Sequence, residues 1–431
     1  MIGPRRRAAA ALVAVLAVVP LVAGLSSALR ASEGKPGTAR RAPEGPPIVL
    51  AMSAAFSGPS RGLGIEIYRG ARAYFDEVNE KGGVGGRPIV IKAYDDGYNP
   101  APAIYNTIRA IEQDKAFLLF SYVGTPTVTR VLPLLKRYRS RSVYLFFPFT
   151  GAQPQREPPY DSEVFNLRAS YRDETYALVD QFARIGRKKI AILYQADAYG
   201  RSGWDGVRRA LAARGSTLAA EATYERGTPY SAHLTRQVEI LRAGQPDAIV
   251  AIGAYAACAA FIRDAVDAGW KIPIANVSFV GPEAMLNLLA AEEKKSGRDY
   301  TSMLVNSEVV PSYEDLALPA VVEYRAMMEK HAPKPPEVAD VAGYTPLGFN
   351  FAGFEGFLNA KVIAEALRRM NGDLNPAKLK DVVESMRDLD IGMDAPISFG
   401  ADRHQALQYV YFAGVERGRW VPVVDWQRWA R

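Results

Sequence analysis

Cysteine and histidine are nearly absent: one cysteine and three histidines in 431 residues. A single thiol, Cys258, cannot close an internal disulfide. No cysteine follows the N-terminal apolar segment, which excludes lipid attachment there. Cys258 lies in an alanine-rich helical pattern and reads as a small core residue. His233, His331 and His404 stand in polar, loop-like or surface-helix contexts. None is spaced with another His, Cys or Glu as a metal-ligand set would be, so no metal site and no cofactor are expected. A P-loop is missing, and Gly200-Arg201-Ser202-Gly203 is not a nucleophile elbow. The run Gly82–Gly86 follows a helical pattern, so it is a turn and not a dinucleotide fingerprint. After Leu25 no apolar run is long enough to span a bilayer. No basic stripe is interleaved with aromatics, which argues against nucleic acid as a partner.

What is present is globular. Hydrophobic residues make up 48% and charged residues 23%, enough to build a sizeable core. The length allows two or three domains. Three units of the +7 net charge come from Arg5, Arg6 and Arg7, ahead of an apolar stretch from Ala8 to Leu25. With the small residues Ser26-Ser27-Ala28, this reads as a signal peptide over residues 1–28, cleaved after Ala28 or Ala31. An uncleaved anchor is the alternative. The expected location is the periplasm, with residues 29–46 as a polar linker.

From Ile48 the chain alternates strand and helix patterns. Ile48-Val49-Leu50-Ala51-Met52 opens a strand, a helical face carries Ile65, Ala71, Phe75 and Val78, and Pro88-Ile89-Val90-Ile91 restarts a strand. That is a βαβ unit with parallel strands. Further strands are expected at Phe117–Ser121, Val143–Phe147, Lys189–Tyr194, Thr217–Thr223, Ala248–Ile252 and Ile274–Phe279. Helices are expected at Tyr171–Ile185, Trp204–Ala213, Leu234–Ala243 and Ala256–Ala268. Short apolar runs with helical spacers predict parallel sheets covered on both faces. Phe165–Ser170, Val305–Pro311 and Pro396–Phe399 read as crossovers between two lobes, with Tyr409–Phe412 and Trp420–Val424 closing as a ribbon. The fold class is therefore α/β, two Rossmann-like lobes with a three-crossover hinge. Lobe one is expected at 47–168 and 312–396, and lobe two at 169–311 and 397–431.

Loops at strand ends carry the candidate site. Gly124-Thr125-Pro126-Thr127 opens a helix, where free backbone N–H groups and two hydroxyls suit a carboxylate; a plain N-cap is the alternative. Phe149 and Thr150 end the next strand. Tyr199 and Tyr255 sit just past strand ends in the second lobe, as ligand contacts or as packed rings. Glu283 offers a charge-assisted bond to an ammonium, or serves only as a helix N-terminal charge.

The order Ser57-Gly58-Pro59, Asn79–Arg87, Tyr94-Asp95-Asp96, Gly124–Thr127, Tyr199-Gly200, Tyr255 and Gly281-Pro282-Glu283 resembles the branched-chain amino-acid-binding family. These are periplasmic substrate-binding proteins of ABC transporters, of type I fold, and the resemblance runs from Pro47 to Asp425. It implies that Thr125 and the Phe149-Thr150 loop hold a ligand carboxylate, that Tyr199 and Tyr255 approach from the second lobe, and that Glu283 binds an α-ammonium. Phe165–Ser170 and Val277–Gly281 also resemble a broad subgroup of that family. Leu63 is not aromatic, the first-lobe cysteine pair is missing and Phe149 is bulky, departures that bear on side-chain specificity. The resemblance implies a monomer that captures a small polar solute, an amino acid or a related carboxylate or amide, and delivers it to an inner-membrane permease. The alternative is a ligand sensor coupled to a membrane signalling partner. No nucleophile–base set supports an enzyme.

Overall fold

The computed structural model describes residues 43–430, so the expected signal segment and most of the linker lie outside the described residues. The first sheet contains β1 (Ile48–Ala54), β2 (Ile89–Asp95), β3 (Leu118–Phe120), β4 (Leu145–Phe146) and β5 (Val164–Phe165). All its pairings are parallel, in the order β2-β1-β3-β4-β5. The second sheet contains β6 (Ile190–Gln195), β7 (Ala220–Tyr224), β8 (Ala248–Ile252), β9 (Ile274–Asn276), β10 (Leu304–Glu308), β11 (Tyr411–Glu416) and β12 (Arg419–Pro422). Its order is β12-β11-β10-β9-β8-β6-β7, parallel except for the antiparallel ribbon of β11 and β12 at one edge.

The helices are α1 (Arg61–Glu80), α2 (Pro100–Glu112), α3 (Thr125–Arg137), α4 (Tyr171–Arg184), α5 (Ala198–Ala212), α6 (Thr235–Ala243), α7 (Tyr255–Asp267), α8 (Pro282–Ser296), α9 (Pro319–His331), α10 (Phe351–Arg369) and α11 (Pro376–Glu384). None of the described helices is long and apolar enough to cross a membrane. After β10 the chain returns to the first lobe, where α9 and α10 pack on α1. The crossing of α1 and α10 requires glycine: a Cβ on Gly70 would come within 1.8 Å of the Gly353 carbonyl oxygen.

Three sequence expectations shift. Helix α5 starts at Ala198 and not Trp204, because the Asp197 carboxylate caps it by accepting from the Tyr199 N–H at 2.9 Å. Strand β9 stops at Asn276, and Ser278–Val280 turn as a 3₁₀ helix ended by Gly281 at φ +76°. Ser278 is held in that turn by Glu174, which accepts from its N–H at 2.8 Å and its hydroxyl at 3.0 Å. The third crossover is not Pro396–Phe399, where Ile397 folds back on Leu389. It runs at His404–Leu407: the Asn166 N–H donates to His404 O at 2.7 Å, and Leu407 N–H to Leu167 O at 2.9 Å. Two hinge strands therefore lie side by side.

Candidate ligand-binding seam between the lobes

Each sheet reverses its strand order once, between β1 and β3 in the first and between β6 and β8 in the second. Crevices at such switch points open beyond the strands' carboxyl ends. Thr125 follows β3, Phe149 and Thr150 follow β4, Tyr199 follows β6, Tyr255 follows β8 and Glu283 follows β9. Every one of these side chains is buried.

The structure brings some of them together. The Thr125 and Thr150 hydroxyls share a hydrogen bond of 2.6 Å, with the Tyr171 hydroxyl 3.5 Å from Thr125 Oγ1. Phe149 and Tyr199 both pack on Phe279, at ring-centroid distances of 5.2 Å and 4.8 Å. Phe279 belongs to the second lobe and Phe149 to the first, so this contact crosses the seam. Thr127 does not join them as a donor: its hydroxyl donates back to the Val123 and Gly124 carbonyls at 2.8 Å, and its proton is spent inside the helix.

Tyr255 and Glu283 stand apart from Thr125. The Tyr255 hydroxyl accepts from the Gly62 N–H at 3.3 Å, at the start of α1. The Glu283 carboxylate accepts from the Phe351 N–H at 3.1 Å, at the start of α10. Burial pushes its pKa up to about 7, against the pull of hydrogen bonds from backbone N–H groups and the Tyr313 hydroxyl. Two cavities open on the seam. One, of about 370 Å³, is lined by Thr125, Thr129, Arg172 and Arg201. The other, of about 550 Å³, is lined by Pro59, Arg61 and Tyr344 from the first lobe and by Tyr230, Tyr255 and Leu288 from the second.

Several buried polar groups were not singled out from sequence. Glu66 on α1 accepts from Arg69 at 2.6 Å, the Tyr344 hydroxyl at 2.7 Å, the Leu347 N–H at 2.9 Å and Asn350 Nδ2 at 3.1 Å. It pins the long connection between α9 and α10 over the larger cavity. A carboxylate inside the apolar run Ile65-Glu66-Ile67 was the available signal. Arg168, on the first hinge strand, lies over the Phe149 ring at 4.6 Å. It pairs with Glu355 of α10 at 3.6 Å and Glu174 of α4 at 3.9 Å. Burial pushes Glu355 up to about 7, and the nearby guanidinium only partly offsets it.

The histidine contexts also change. His331 and His404 side chains are only 8% and 7% exposed, paired with Glu77 at 2.9 Å and Glu384 at 2.7 Å. Among the described residues, Glu77, Glu80 and His331 form one group compatible with a metal ion. The Lys330 ammonium already donates to both carboxylates at 2.6 Å, supplying the positive charge that group calls for. Burial raises the Cys258 thiol well above its ordinary range, as suits a core residue.

Two α/β lobes, hinged by adjacent strands and facing each other through switch-point loops, define a bilobal solute-binding protein. The chain belongs to the periplasmic binding protein family, whose sequence profile matches residues 47–419. Members of that family are substrate-binding proteins and not enzymes. An amino acid binding protein of Pseudomonas aeruginosa is 25% identical over 167 residues, covering 38% of this chain and 43% of that relative. The chain thus matches under half the length of that curated relative. A structure described as a possible leucine/isoleucine/valine-binding protein from Rhodopirellula baltica superposes with a TM-score of 0.76 at 29% identity, covering 88% of this chain and 96% of that one. A fatty acid ABC transporter substrate-binding protein from Thermomonospora curvata superposes with a TM-score of 0.73 at 21% identity, covering 88% and 91%, a likeness of fold alone.

Proposed function

We propose that this chain captures a small polar solute, an amino acid or a related carboxylate or amide, between its lobes and delivers it to an ABC transporter permease outside the cytoplasm. The observation that carries this reading is the seam itself. Loops from both switch points meet there, and two cavities open between the lobes. The names of the Pseudomonas and Rhodopirellula relatives support an amino acid as the solute.

The mechanism is closure. A ligand that touches both lobes satisfies its contacts only when they are together, so it shifts the population toward the closed form that a permease recognises. Thr125, Phe149 and Thr150 would hold the anionic end from the first lobe; Tyr199, Tyr255 and Glu283 would approach from the second. Thr127 supports this end by ordering the α3 N-terminus. The moving bodies are the two lobes expected from sequence, with the third crossover taken at His404–Leu407.

The test is a thermal-shift screen of the chain lacking residues 1–28 against amino acids, amides, urea and carboxylates. A ligand specific for the folded state raises the melting temperature. A rise with none of these compounds removes the reading. Glu283→Ala is expected to weaken amino acids about tenfold or more while leaving plain carboxylic acids within about twofold, given the strength of charge-assisted bonds in a desolvated site. Equal losses for both classes would remove the ammonium role.

A further inference from the structure

A cluster of buried rings centred on Phe279 lies in the seam. Phe279 packs on Phe149 at 5.2 Å and on Tyr199 at 4.8 Å in tilted arrangements, and stacks on Tyr98 at 6.0 Å. Two of these rings belong to the first lobe and one to the second, and all are buried. Tyr199 in turn packs on Tyr171 at 5.2 Å, whose hydroxyl lies 3.5 Å from Thr125 Oγ1, and Thr125 lines the smaller cavity. On its other side, the chain two residues past Phe279 comes up against Tyr255, which lines the larger cavity. A Cβ on Gly281 would lie 3.3 Å from Tyr255 Cδ1 and 2.8 Å from Leu63 Cδ2. Phe279 is thus linked through Tyr199 and Tyr171 to Thr125 on one side, and through the turn at Gly281 to Tyr255 on the other. The turn carrying it is fixed, because both donors of Ser278 are taken by Glu174.

We propose that Phe279 sets ligand preference by partitioning the seam, and that the larger cavity is the main subsite, taking one bulky apolar or aromatic group. This rests on the seam being the binding site. At about 550 Å³ the cavity is in the range that holds a compact organic ligand, about 300–1,000 Å³. Its walls suit that class: Tyr230, Tyr255 and Tyr344 contribute three aromatic side chains, Pro59 and Leu288 add apolar surface, and Arg61 lies over the Tyr344 ring at 5.8 Å. Each lobe supplies part of the wall, so a group lodged there holds the lobes together without reaching Thr125. A small aliphatic amino acid, stretched between Thr125 and Glu283, would meet the Phe279 ring.

Titration calorimetry on the intact chain tests this with three probes: L-alanine, L-phenylalanine and phenylacetate. The wild-type protein is expected to bind the two phenyl compounds and to bind alanine at least tenfold more weakly. Leu288→Trp, which fills the larger cavity from its rim, should weaken both phenyl compounds at least tenfold. Phe279→Ala joins the cavities and should strengthen alanine at least tenfold. Phe279→Leu retains more side-chain volume and should fall between the two, guarding against a variant that merely unfolds. A cooperatively melting Phe279→Leu or Phe279→Ala protein with all three affinities within twofold of wild type overturns the partition. Unchanged phenyl binding in Leu288→Trp overturns the subsite. Absence of binding by any probe in any variant removes both the inference and the amino-acid and carboxylate reading beneath it.

Discussion

Two buried polar regions on this fold are built in opposite ways. At the strap between α9 and α10, Glu66 meets four donors from Arg69, Tyr344, Leu347 and Asn350, and Arg69 also donates to the Pro333 and Leu347 carbonyls at 2.8 Å and 2.6 Å. At the hinge the bonding is incomplete. Both side-chain amide atoms of Asn166, the carbonyl oxygen of Asn306, and Nε and Nη1 of Arg168 are buried with no hydrogen-bond partner among the described residues, as are both amide atoms of Asn276 on β9 and the carbonyl oxygen of Asn359 on α10 beside them. A buried carboxylate is costly unless paired and fully bonded, and the strap meets that requirement. The strap is thus built to hold one position. The hinge carries polar groups whose bonding is unfinished in this arrangement, the state expected where strands must twist between two positions.

The largest effect should come from cutting the strap anchor. Glu66→Ala leaves Arg69 buried without its carboxylate, and removing one member of a buried pair costs about 3–5 kcal/mol. Chemical denaturation should register that loss, and hydrogen exchange should rise over residues 333–347. Glu66→Gln keeps an acceptor and should cost less, about 1–3 kcal/mol. If Glu66→Ala costs under about 1 kcal/mol, the strap is held by something else, and the contrast with the hinge collapses.

An intermediate effect should appear as pH dependence at Glu283, which has hydrogen-bond donors but no cationic partner among the described residues. Its folded pKa is raised from 4.5 to about 7, chiefly by burial. The folded state therefore holds this proton more tightly than the unfolded one, and stability falls as pH rises from about 4.5 through about 7. Glu355 and Asp96, also pushed up to about 7 by burial, act with the same sign. Glu283→Gln should flatten the profile, gaining up to about 3 kcal/mol relative to wild type between pH 5 and pH 8. Parallel profiles for the two proteins would mean the Glu283 carboxylate is ionised in the folded state and its burial is offset by its hydrogen bonds.

The difference between these regions also explains what the sequence made readable. Alternating apolar runs and helical spacers carry the two sheets, because a parallel strand buried on both faces must be apolar throughout, as Ala248–Ile252 is. Loops placed just past strands were readable for the same reason, which put Thr125, Phe149, Tyr199 and Tyr255 near the seam. Partners far apart in the chain were not. Glu66 bonds to Leu347, 281 positions on, and Arg168 pairs with Glu355 across the hinge. Phe279 appeared only as one letter in an extended run, because nothing local to Val277–Gly281 states that a strand ends and a ring turns inward. Glu174 in another helix makes that turn.

The smallest effect should be at Asn276, on β9 opposite Asn306 of the crossover strand β10. Asn276 is fully buried, and both its amide atoms lack a partner among the described residues. An unbonded buried amide costs about 1–3 kcal/mol, whereas an apolar residue of similar shape carries no such cost. Asn276→Leu should therefore fall between neutral and about 1 kcal/mol stabilising in denaturant unfolding. The isosteric pairing at Glu66 would behave in the opposite way, since any change there breaks bonds already made. If Asn276→Leu costs more than about 1 kcal/mol, the amide is bonded in solution, by ordered water or in the open arrangement of the lobes. A ligand distinguishes those two cases. Ordered water predicts the same loss with and without ligand, whereas bonding confined to the open form predicts tighter ligand binding in the variant, because the open state alone has been weakened.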